Sequence, residues 1–322
     1  MNVNKKTDED ATLVSDWDIN ATVKEGHIQV KGGSVFYRIY GENKSGVPII
    51  FLHGGPGHDS STFFRTTGLG NNRPVVYYNQ LGSSGSDIDE EYRTAVKAKE
   101  LFTLERFPDE LETVIEYFGF NEFVLAGHSW GSMFAVEFVE AKRPKGLRGL
   151  ILAGPFLNVN LWVLDAQRLI QSLPDGEAKW KIIKECEALG NYTEEYDNIN
   201  TIYSNNFFNR TEGLDSTKPS QPEKLNIDGF DIYNHMWGPT EFSCTGTLQG
   251  HDSTKYLKNI NVPVLYICGE YDSGSPAAAA YYCNLTPNGE VAVIRGTAHE
   301  SPREAPKEFV RVVNEFMKGI ED

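Results

Sequence analysis

The sequence predicts an α/β protein with a mostly parallel central sheet, helices on both faces and an inserted, mainly helical cap. Two observations support this prediction. Short apolar runs of strand length alternate with segments of helix length, which is typical of a parallel sheet covered on both faces. The alternation stops between about residues 158 and 258, where amphipathic segments mix with a polar Thr-Lys-Pro-Ser-Gln-Pro stretch. We therefore expect residues 26–157 and 259–322 to form the core and residues 158–258 to form the cap.

The elements of the core are predicted in order from their apolar patterns. Residues 26–40 alternate between apolar and polar side chains around a Gly-Gly pair and indicate an opening β-hairpin. Further strands are predicted at residues 47–52, 75–78, 123–126, 147–152, 262–268 and 291–295. Helices are predicted at residues 106–118, 132–143, 275–284 and 305–318, with another helical segment at 178–189 in the cap. Residues 1–25 are polar and are predicted to be an extension outside the core.

Ser129 lies at the centre of the pentapeptide Gly-His-Ser-Trp-Gly at residues 127–131. An apolar strand precedes this motif, and a helical segment that ends near Pro144 follows it. A strand, a G-x-S-x-G turn and a helix together form the nucleophile elbow of an α/β-hydrolase, in which the glycines allow a sharp turn and the serine hydroxyl is exposed. The helix directs its N-terminal amide groups at that hydroxyl. A chance match to this short motif is the alternative.

Two further polar residues, Asp272 and His299, each follow a predicted buried strand, in the order that this fold requires. His299 would accept the proton of Ser129 and return it to the leaving group, while Asp272 would fix the imidazole tautomer. Glu270 is a rival for the acid, and Asp272 is favoured because it lies further past the strand. The structural alternatives are a helix N-cap for Asp272 and a solvated loop position for His299.

An oxyanion hole requires two backbone amide donors. Trp130, the residue after the nucleophile, is predicted to supply one of them. The other is predicted from Gly55, in the His-Gly-Gly-Pro-Gly loop at residues 53–57. Its glycines let the backbone approach a substrate closely, and its proline stiffens the loop. The loop lacks the spacing and the lysine of a phosphate-binding loop, so an ordinary turn is the remaining alternative.

Composition narrows the class of protein. The chain has 322 residues and a formal net charge of -15, which argues against nucleic-acid binding and suits a substrate with an ammonium group. No apolar run reaches the ~18 residues of a membrane helix, and the polar start lacks the apolar stretch of a secretory signal. The cysteines show no paired spacing and the histidines no metal-binding pattern. We expect a cytoplasmic enzyme with reduced thiols, no metal or cofactor, and no nucleic-acid or membrane partner.

The His-Gly-Gly-Pro-Gly and Gly-His-Ser-Trp-Gly motifs together resemble those of the proline iminopeptidase family of serine α/β-hydrolases, in particular the branch that includes the tricorn-interacting aminopeptidase. Further segments that match this family lie at residues 78–87, 102–111 and 236–246. The resemblance covers roughly residues 26 to 320. The chain departs from the family pattern at Asn79, where the family usually carries Asp, and also at Leu81 and Ser83.

The resemblance also implies how the cap recognises a free α-amine. In relatives the Glu of a Gly-Pro-x-Glu-Phe element contributes to the amine site, and this position is Glu241 here. Carboxylates bind ammonium groups by charge-assisted hydrogen bonds. Glu212 is the candidate for a second carboxylate, from its rough position alone. For both glutamates the alternative is a solvated surface residue. The candidate walls of a small apolar pocket, which could equally be plain packing, are Trp130, Phe156, Phe207, Phe208, Tyr233 and Trp237.

These observations predict a serine exopeptidase that releases an N-terminal residue, proline or another small apolar residue, from short peptides through an acyl-enzyme. An alternative keeps the catalytic residues and changes the substrate to an amino-acid amide, ester or lactone, because the fold and the triad do not fix the acyl group. A third hypothesis, from another class, is a noncatalytic binding or scaffold protein with this fold. The complete set of catalytic residues argues against it.

Overall fold

The computed structural model describes residues 23–210 and 222–322, and its described strands form one sheet. Of the predicted extension, residues 1–25, the first 22 lie outside the described residues. The first strand begins at Val23. The strands are β1 (Val23–Val30), β2 (Gly33–Tyr40), β3 (Ile49–Leu52), β4 (Val75–Asn79), β5 (Asp87–Ile88), β6 (Phe123–His128), β7 (Leu147–Ala153), β8 (Val264–Gly269) and β9 (Gly289–Ile294).

The strand order in the sheet is β1-β2-β4-β3-β6-β7-β8-β9, and β5 pairs with β2. The first two strands form the predicted antiparallel hairpin, and β2 also pairs antiparallel with β4. All later pairs along this order are parallel. The prediction of a mostly parallel sheet is therefore confirmed. Because parallel strands point the same way, the loops that follow β3, β4, β6, β8 and β9 lie at one edge of the sheet.

The predicted core helices are present, each with ends within three residues of the predicted ends. The α-helices are α1 (Ala95–Leu101), α2 (Phe107–Phe118), α3 (Trp130–Lys142), α4 (Val159–Ser172), α5 (Gly176–Leu189), α6 (Glu194–Tyr203), α7 (Ile232–Met236), α8 (Pro276–Asn284), α9 (Ser301–Glu304) and α10 (Pro306–Glu321). Among residues 23–210 and 222–322, none of the helices combines the length and the apolarity that a membrane crossing requires.

Side chains of β3 alternate between two separate apolar cores, as the two-residue period of a strand requires. Ile50 and Leu52 belong to the core that also contains Leu111 of α2 and Met133 of α3. Ile49 and Phe51 belong to a second core, which includes the apolar face of α10, for example Phe309 and Val313. Helices therefore cover both faces of the sheet, as the sequence predicts.

The segment between β7 and β8 is the inserted, mainly helical part of the fold. It contains α4 to α7 and has an apolar core of its own. Ile170 of α4, Ile183 of α5 and Tyr203 of α6 are all fully buried in that core. The fold class with an inserted helical segment is thus confirmed, while the domain boundaries at residues 158 and 258 remain predictions.

Helix α3 lies unusually close to the sheet at its first turn. A Cβ atom added to Gly131 would lie 2.0 Å from the carbonyl oxygen of Leu52 in β3, and one added to Gly127 would lie 2.1 Å from the carbonyl oxygen of Gly131. Neither glycine has a positive φ, whereas Ser129 between them has a φ of 54°. The two glycines are therefore needed for the close approach of backbone segments, and the sharp turn is made by Ser129 itself.

We predict that Gly131→Ala lowers the free energy of unfolding by about 2 kcal/mol or more, because the carbonyl that the new methyl meets belongs to a central strand. Gly319→Ala in α10 is the matched control, because a Cβ there meets nothing within 4 Å. It should leave stability unchanged or raise it slightly. Urea unfolding followed by circular dichroism measures both. Equal midpoints for the two variants would refute the close-approach explanation.

Candidate active site

The backbone of Ser129 is held in a strained conformation at the start of α3. Its φ of 54° and ψ of −123° lie outside the regions that residues with a side chain normally occupy. Its N–H donates to Ala153 at the end of β7 at 2.9 Å, and its carbonyl accepts from the N–H of Ser132 at 2.8 Å. The hydroxyl of Ser132 also donates to that carbonyl, at 2.5 Å. These bonds fix the half-buried Ser129 side chain at the edge of the sheet.

The structure brings His299 and Asp272 together, although α8 and β9 separate their loops in sequence. His299 Nδ1 lies 2.7 Å from Asp272 Oδ1, and both side chains are fully buried. The carboxylate also accepts hydrogen bonds from the N–H groups of Gly274, at 2.7 Å, and Gly269, at 3.2 Å. A carboxylate held in this way presents a fixed acceptor to Nδ1–H, which leaves Nε2 as the nitrogen that can accept a proton.

Glu270, the rival acid, does not contact His299. Its carboxylate accepts a hydrogen bond from the N–H of Gly296 at 2.9 Å, and the residue is exposed. Asp272, in contrast, is 1% exposed and faces the imidazole. The geometry therefore pairs His299 with Asp272 and leaves Glu270 in solvent.

The second nitrogen of His299 has no hydrogen-bond partner among the described residues. Nε2 is buried, and the ring is packed against His128, Trp162 and Phe208 at centroid distances of 4.6, 5.3 and 4.5 Å. No hydrogen bond joins Ser129 to this nitrogen, which is common in active sites without substrate. His128, the residue before the serine, donates from Nε2 to the carbonyl of His299 at 2.9 Å and so ties the imidazole loop to the elbow.

Two opposing effects set the pKa of His299. Burial lowers the pKa of the imidazole and is the largest single influence. The Asp272 carboxylate opposes it by its charge and its hydrogen bond, and the charges of Glu300 and Glu241 act in the same direction. The net result is a pKa above the ordinary histidine value. The surrounding carboxylates therefore make His299 a stronger base than burial alone would allow.

The residues predicted for an oxyanion hole lie on either side of the serine. Gly55 has a φ of 112° and lines the same cavity as Ser129. A Cβ on the neighbouring Gly54 would lie 3.2 Å from Cβ of Ser129, so this loop runs directly past the serine. Trp130 begins α3, which places its amide at the positive end of that helix.

The side chain of Trp130 is not among those that line the cavity, so the structure favours plain packing over a cavity wall for this residue. Its indole is fully buried, packs against Phe107 at 5.2 Å and donates from Nε1 to Gln80 at 3.0 Å. Burial of so large a side chain under the elbow stabilises the start of α3.

The cavity beside Ser129 is small and mostly aromatic. Besides Ser129 and Gly55, its lining comprises Phe156, Trp162, Tyr233, Trp237 and Glu241. Trp237 packs edge-on against Phe156 at 5.2 Å and is fixed by a bond from its Nε1 to the carbonyl of Thr240 at 2.8 Å. Trp162 was not singled out from the sequence. Trp162 faces the cavity because of the way α4 lies over the site. The residue pattern of α4 alone does not reveal that orientation.

Glu241 is the one acidic side chain among the residues that line this cavity. It accepts a hydrogen bond from the hydroxyl of Tyr233, and no described Lys or Arg forms an ion pair with it. Burial raises the pKa of its carboxyl, whereas the bond from Tyr233 and the charge of His299 lower it by less. A carboxylate so placed would gain free energy from a bound cation.

Three residues predicted to line the substrate site, Glu212, Phe207 and Phe208, remain to be located. Glu212 lies outside the described residues. Phe208 packs on the ring of His299, as noted above, whereas the side chain of Phe207 belongs to the core of the inserted segment. The carbonyl of Phe207 accepts N–H donors from both catalytic loops, from Ser273 at 3.0 Å and from His299 at 3.3 Å. The inserted segment is therefore bonded directly to the loops that carry the acid and the base.

The structure explains the presence of Asn79 at a position where the family usually carries Asp. Its side-chain oxygen accepts from the N–H of Ser60 at 2.9 Å, and its side-chain nitrogen donates to the carbonyl of Ser84 at 2.6 Å. An ionised Asp at this position could not make the second bond. Asn79 therefore serves to hold the neighbouring loops together. Its difference from the family pattern does not affect the serine, the histidine or the acid.

Comparisons with known proteins agree with the fold described above. Residues 47–306 match the family model of the alpha/beta hydrolase fold. A proline iminopeptidase of Heyndrickxia coagulans is 35% identical over 302 residues, which cover 92% of this chain and 99% of that protein. One from Lactobacillus delbrueckii subsp. lactis is 31% identical over 282 residues, which cover 86% and 92%. The crystal structure of a Mycobacterium smegmatis proline iminopeptidase superposes with a TM-score of 0.80 at 24% identity, covering 92% of this chain and 99% of that one.

Proposed function

This chain belongs to the proline iminopeptidase family of α/β-hydrolases, and we propose that it is a serine exopeptidase that releases an N-terminal proline or another small apolar residue from short peptides. The observation that carries this proposal is a single cavity that Ser129 and Glu241 both line. A nucleophile and a carboxylate without a cationic partner among the described residues, in one small site, suit a substrate whose scissile carbonyl lies close to a free ammonium group.

In the proposed reaction, Ser129 Oγ attacks the carbonyl carbon of the N-terminal residue and His299 Nε2 takes the serine proton. The proton then passes to the leaving amine, and an acyl-enzyme remains on Ser129. Water attacks that ester with His299 again acting as base. Asp272 holds Nδ1–H and stabilises the imidazolium, and its bond of 2.7 Å to His299 supports this role.

The negative oxygen that forms on the carbonyl is proposed to accept hydrogen bonds from the amides of Gly55 and Trp130. The place of Trp130 at the start of α3 supports this assignment, because the helix dipole favours negative charge there. Stabilisation of that oxygen is commonly the largest single contribution to acyl transfer.

Recognition of the substrate amine is assigned to Glu241, with Tyr233 holding one of its oxygens. Trp237 and the other aromatic walls would hold an apolar ring of proline size and add cation–π attraction to the ammonium. Glu212 remains the proposed second carboxylate. We assign residues 158–258 to the cap, since most of the cavity wall comes from this range.

A cytoplasmic location is part of the proposal. All four cysteines are free, with Cys186 and Cys268 buried, which suits a reducing compartment.

The first prediction from this mechanism concerns the acid. Asp272→Asn should lower kcat by about four orders of magnitude, because an amide at this position favours the wrong imidazole tautomer. Glu270→Gln, the matched control two residues away, should retain most of the activity because Glu270 is exposed and bonded to Gly296. Steady-state kinetics on a prolyl anilide measures both. The reverse ranking would show that the acid is misassigned.

The second prediction concerns pH. On an ester without an amine, kcat/KM should rise with pH through a pKa above the ordinary histidine value, because protonated His299 cannot accept the serine proton. Glu300→Gln removes one charge that raises this pKa and should move the rise to lower pH. Glu270→Gln should leave the profile unchanged. A Glu300→Gln profile identical to wild type would contradict the electrostatic assignment.

The third prediction tests the function itself. Glu241→Gln should lower kcat/KM for a prolyl anilide about 30-fold or more, corresponding to about 2 kcal/mol for an unpaired ammonium. Glu241→Gln also removes one charge that raises the pKa of His299, so both substrates are compared at a pH where His299 is deprotonated in both proteins. There, hydrolysis of a butyrate ester, which carries no amine, should be nearly unchanged, and Ser129→Ala supplies the background rate. Equal losses on both substrates would make Glu241 structural. No loss on either would favour the amide, ester or lactone alternative.

A further inference from the structure

Gln80, in the turn after β4, joins two segments that flank the candidate nucleophile. Its side-chain Nε2 donates to the carbonyl of His53 at 3.0 Å, and its Oε1 accepts from Trp130 Nε1 at 3.0 Å. Its backbone N–H donates to His53 Nε2 at 2.9 Å. Gln80 is 1% exposed, and His53 and Trp130 are fully buried, so water does not compete for these bonds.

The donors and acceptors of this network admit one arrangement. His53 Nδ1 lies 2.8 Å from the carbonyl of Gly54, so Nδ1 carries the proton and Nε2 is the acceptor for the Gln80 N–H. Burial lowers the pKa of His53 to about 4, which keeps the ring neutral, as this pattern requires. A reversed Gln80 amide would set its NH2 against the indole N–H and its oxygen against the His53 carbonyl. The network therefore fixes the carboxamide in one orientation.

The two segments are the ones that carry the proposed oxyanion donors. His53 begins the loop that contains Gly55, and the Trp130 indole anchors the residue whose amide is the other donor. The pairing of β3 with β6 ends at Leu52 and Gly127, so strand hydrogen bonds do not reach either donor. Donors to an oxyanion must lie at about 2.7–3.1 Å from it, and a small change in their separation is therefore costly.

We propose that Gln80 is a positioning residue whose carboxamide sets the spacing of the Gly55 and Trp130 amides. This inference rests on the proposed hydrolase function. Gln80 is not among the residues that line the cavity beside Ser129, so it does not act on substrate directly. Its effect is expected only where negative charge develops on the carbonyl oxygen, and ground-state binding should be unaffected.

The test uses amine-free probes, so that it does not depend on the exopeptidase assignment. Gln80→Met keeps the side-chain length and removes both side-chain bonds. It should lower kcat for a butyrate ester about 10- to 100-fold, approaching the loss of one oxyanion donor, with KM nearly unchanged. Inhibition by butaneboronic acid, which forms a tetrahedral adduct with a serine, should weaken by a similar factor. Inhibition by butyramide, a planar ground-state analogue, should not change.

Trp130→Phe is the milder variant, because it removes the indole N–H and keeps an aromatic ring in the core. It should lower kcat in the same direction by a smaller factor, and the double variant should be about as slow as Gln80→Met alone, since both changes break one network. Gln171→Met is the matched control. Gln171 also bonds through its side chain, to Glu177, away from the site, and its replacement should leave kcat unchanged.

Thermal unfolding separates the proposed role from loss of fold. The proposal is overturned if folded Gln80→Met and Trp130→Phe both retain kcat within about two-fold of wild type. It is also overturned if butyramide and the boronic acid weaken equally. If Gln80→Met does not fold, Trp130→Phe decides by the same two readouts. Failure of the wild type on the prolyl anilide alone, with the ester still hydrolysed, would refute the exopeptidase function and leave this test intact.

Discussion

The close approach of α3 to β3 is the constraint on which the candidate site depends. At Gly131 the first turn of the helix lies against the carbonyl of Leu52 with no room for a methyl group. That contact fixes the height of the helix start above the sheet, and therefore the level at which Ser129 lies. The strained φ of Ser129 is held by backbone hydrogen bonds on both sides, from its N–H to Ala153 and from Ser132 to its carbonyl.

Charge is distributed unevenly around this rigid frame. Asp272, Glu241 and Glu300 all act on the single imidazole of His299, and the two glutamates lie on different elements from the acid. Desolvation lowers the pKa of His299 and the charges of these carboxylates raise it, and the net result is a raised pKa. The same excess of negative charge that strengthens the base also favours a cationic group in the cavity. Basicity and amine recognition are thus two effects of one electrostatic environment.

Most of the fold could be predicted from the sequence, because strand and helix periods differ and the carboxyl edge of a parallel sheet collects the loops. This reasoning located Ser129, Asp272 and His299, and the structure places His299 beside Asp272. It could not find Trp162, whose importance arises from how α4 lies over the site and not from any pattern within α4. It also left open whether the Trp130 indole lines the cavity or packs in the core, and the fully buried ring belongs to the core.

Gln80 illustrates a different limit of sequence reasoning. One glutamine in a turn carries no chemical signature, and its bonds to His53 and Trp130 exist only because β4, β3 and β6 are neighbours in the sheet. The motif also explains its glycines incompletely. Space at Gly131 is limited by Leu52 of β3, which is remote in sequence, and space at Gly127 is limited by the carbonyl of Gly131.

The Phe207 carbonyl, which accepts from both Ser273 and His299, bears on how this kind of enzyme diversifies. In this protein the inserted segment is joined to the catalytic loops by two backbone hydrogen bonds, both accepted by the carbonyl oxygen of Phe207. A chimera with a different segment between β7 and β8 would need a carbonyl group at the same place. Without it, the backbone of the catalytic His299 would lose one of its hydrogen bonds. Substrate range is therefore expected to change more readily through single substitutions of the wall residues, with the π-helical segment Ser204–Phe208 retained.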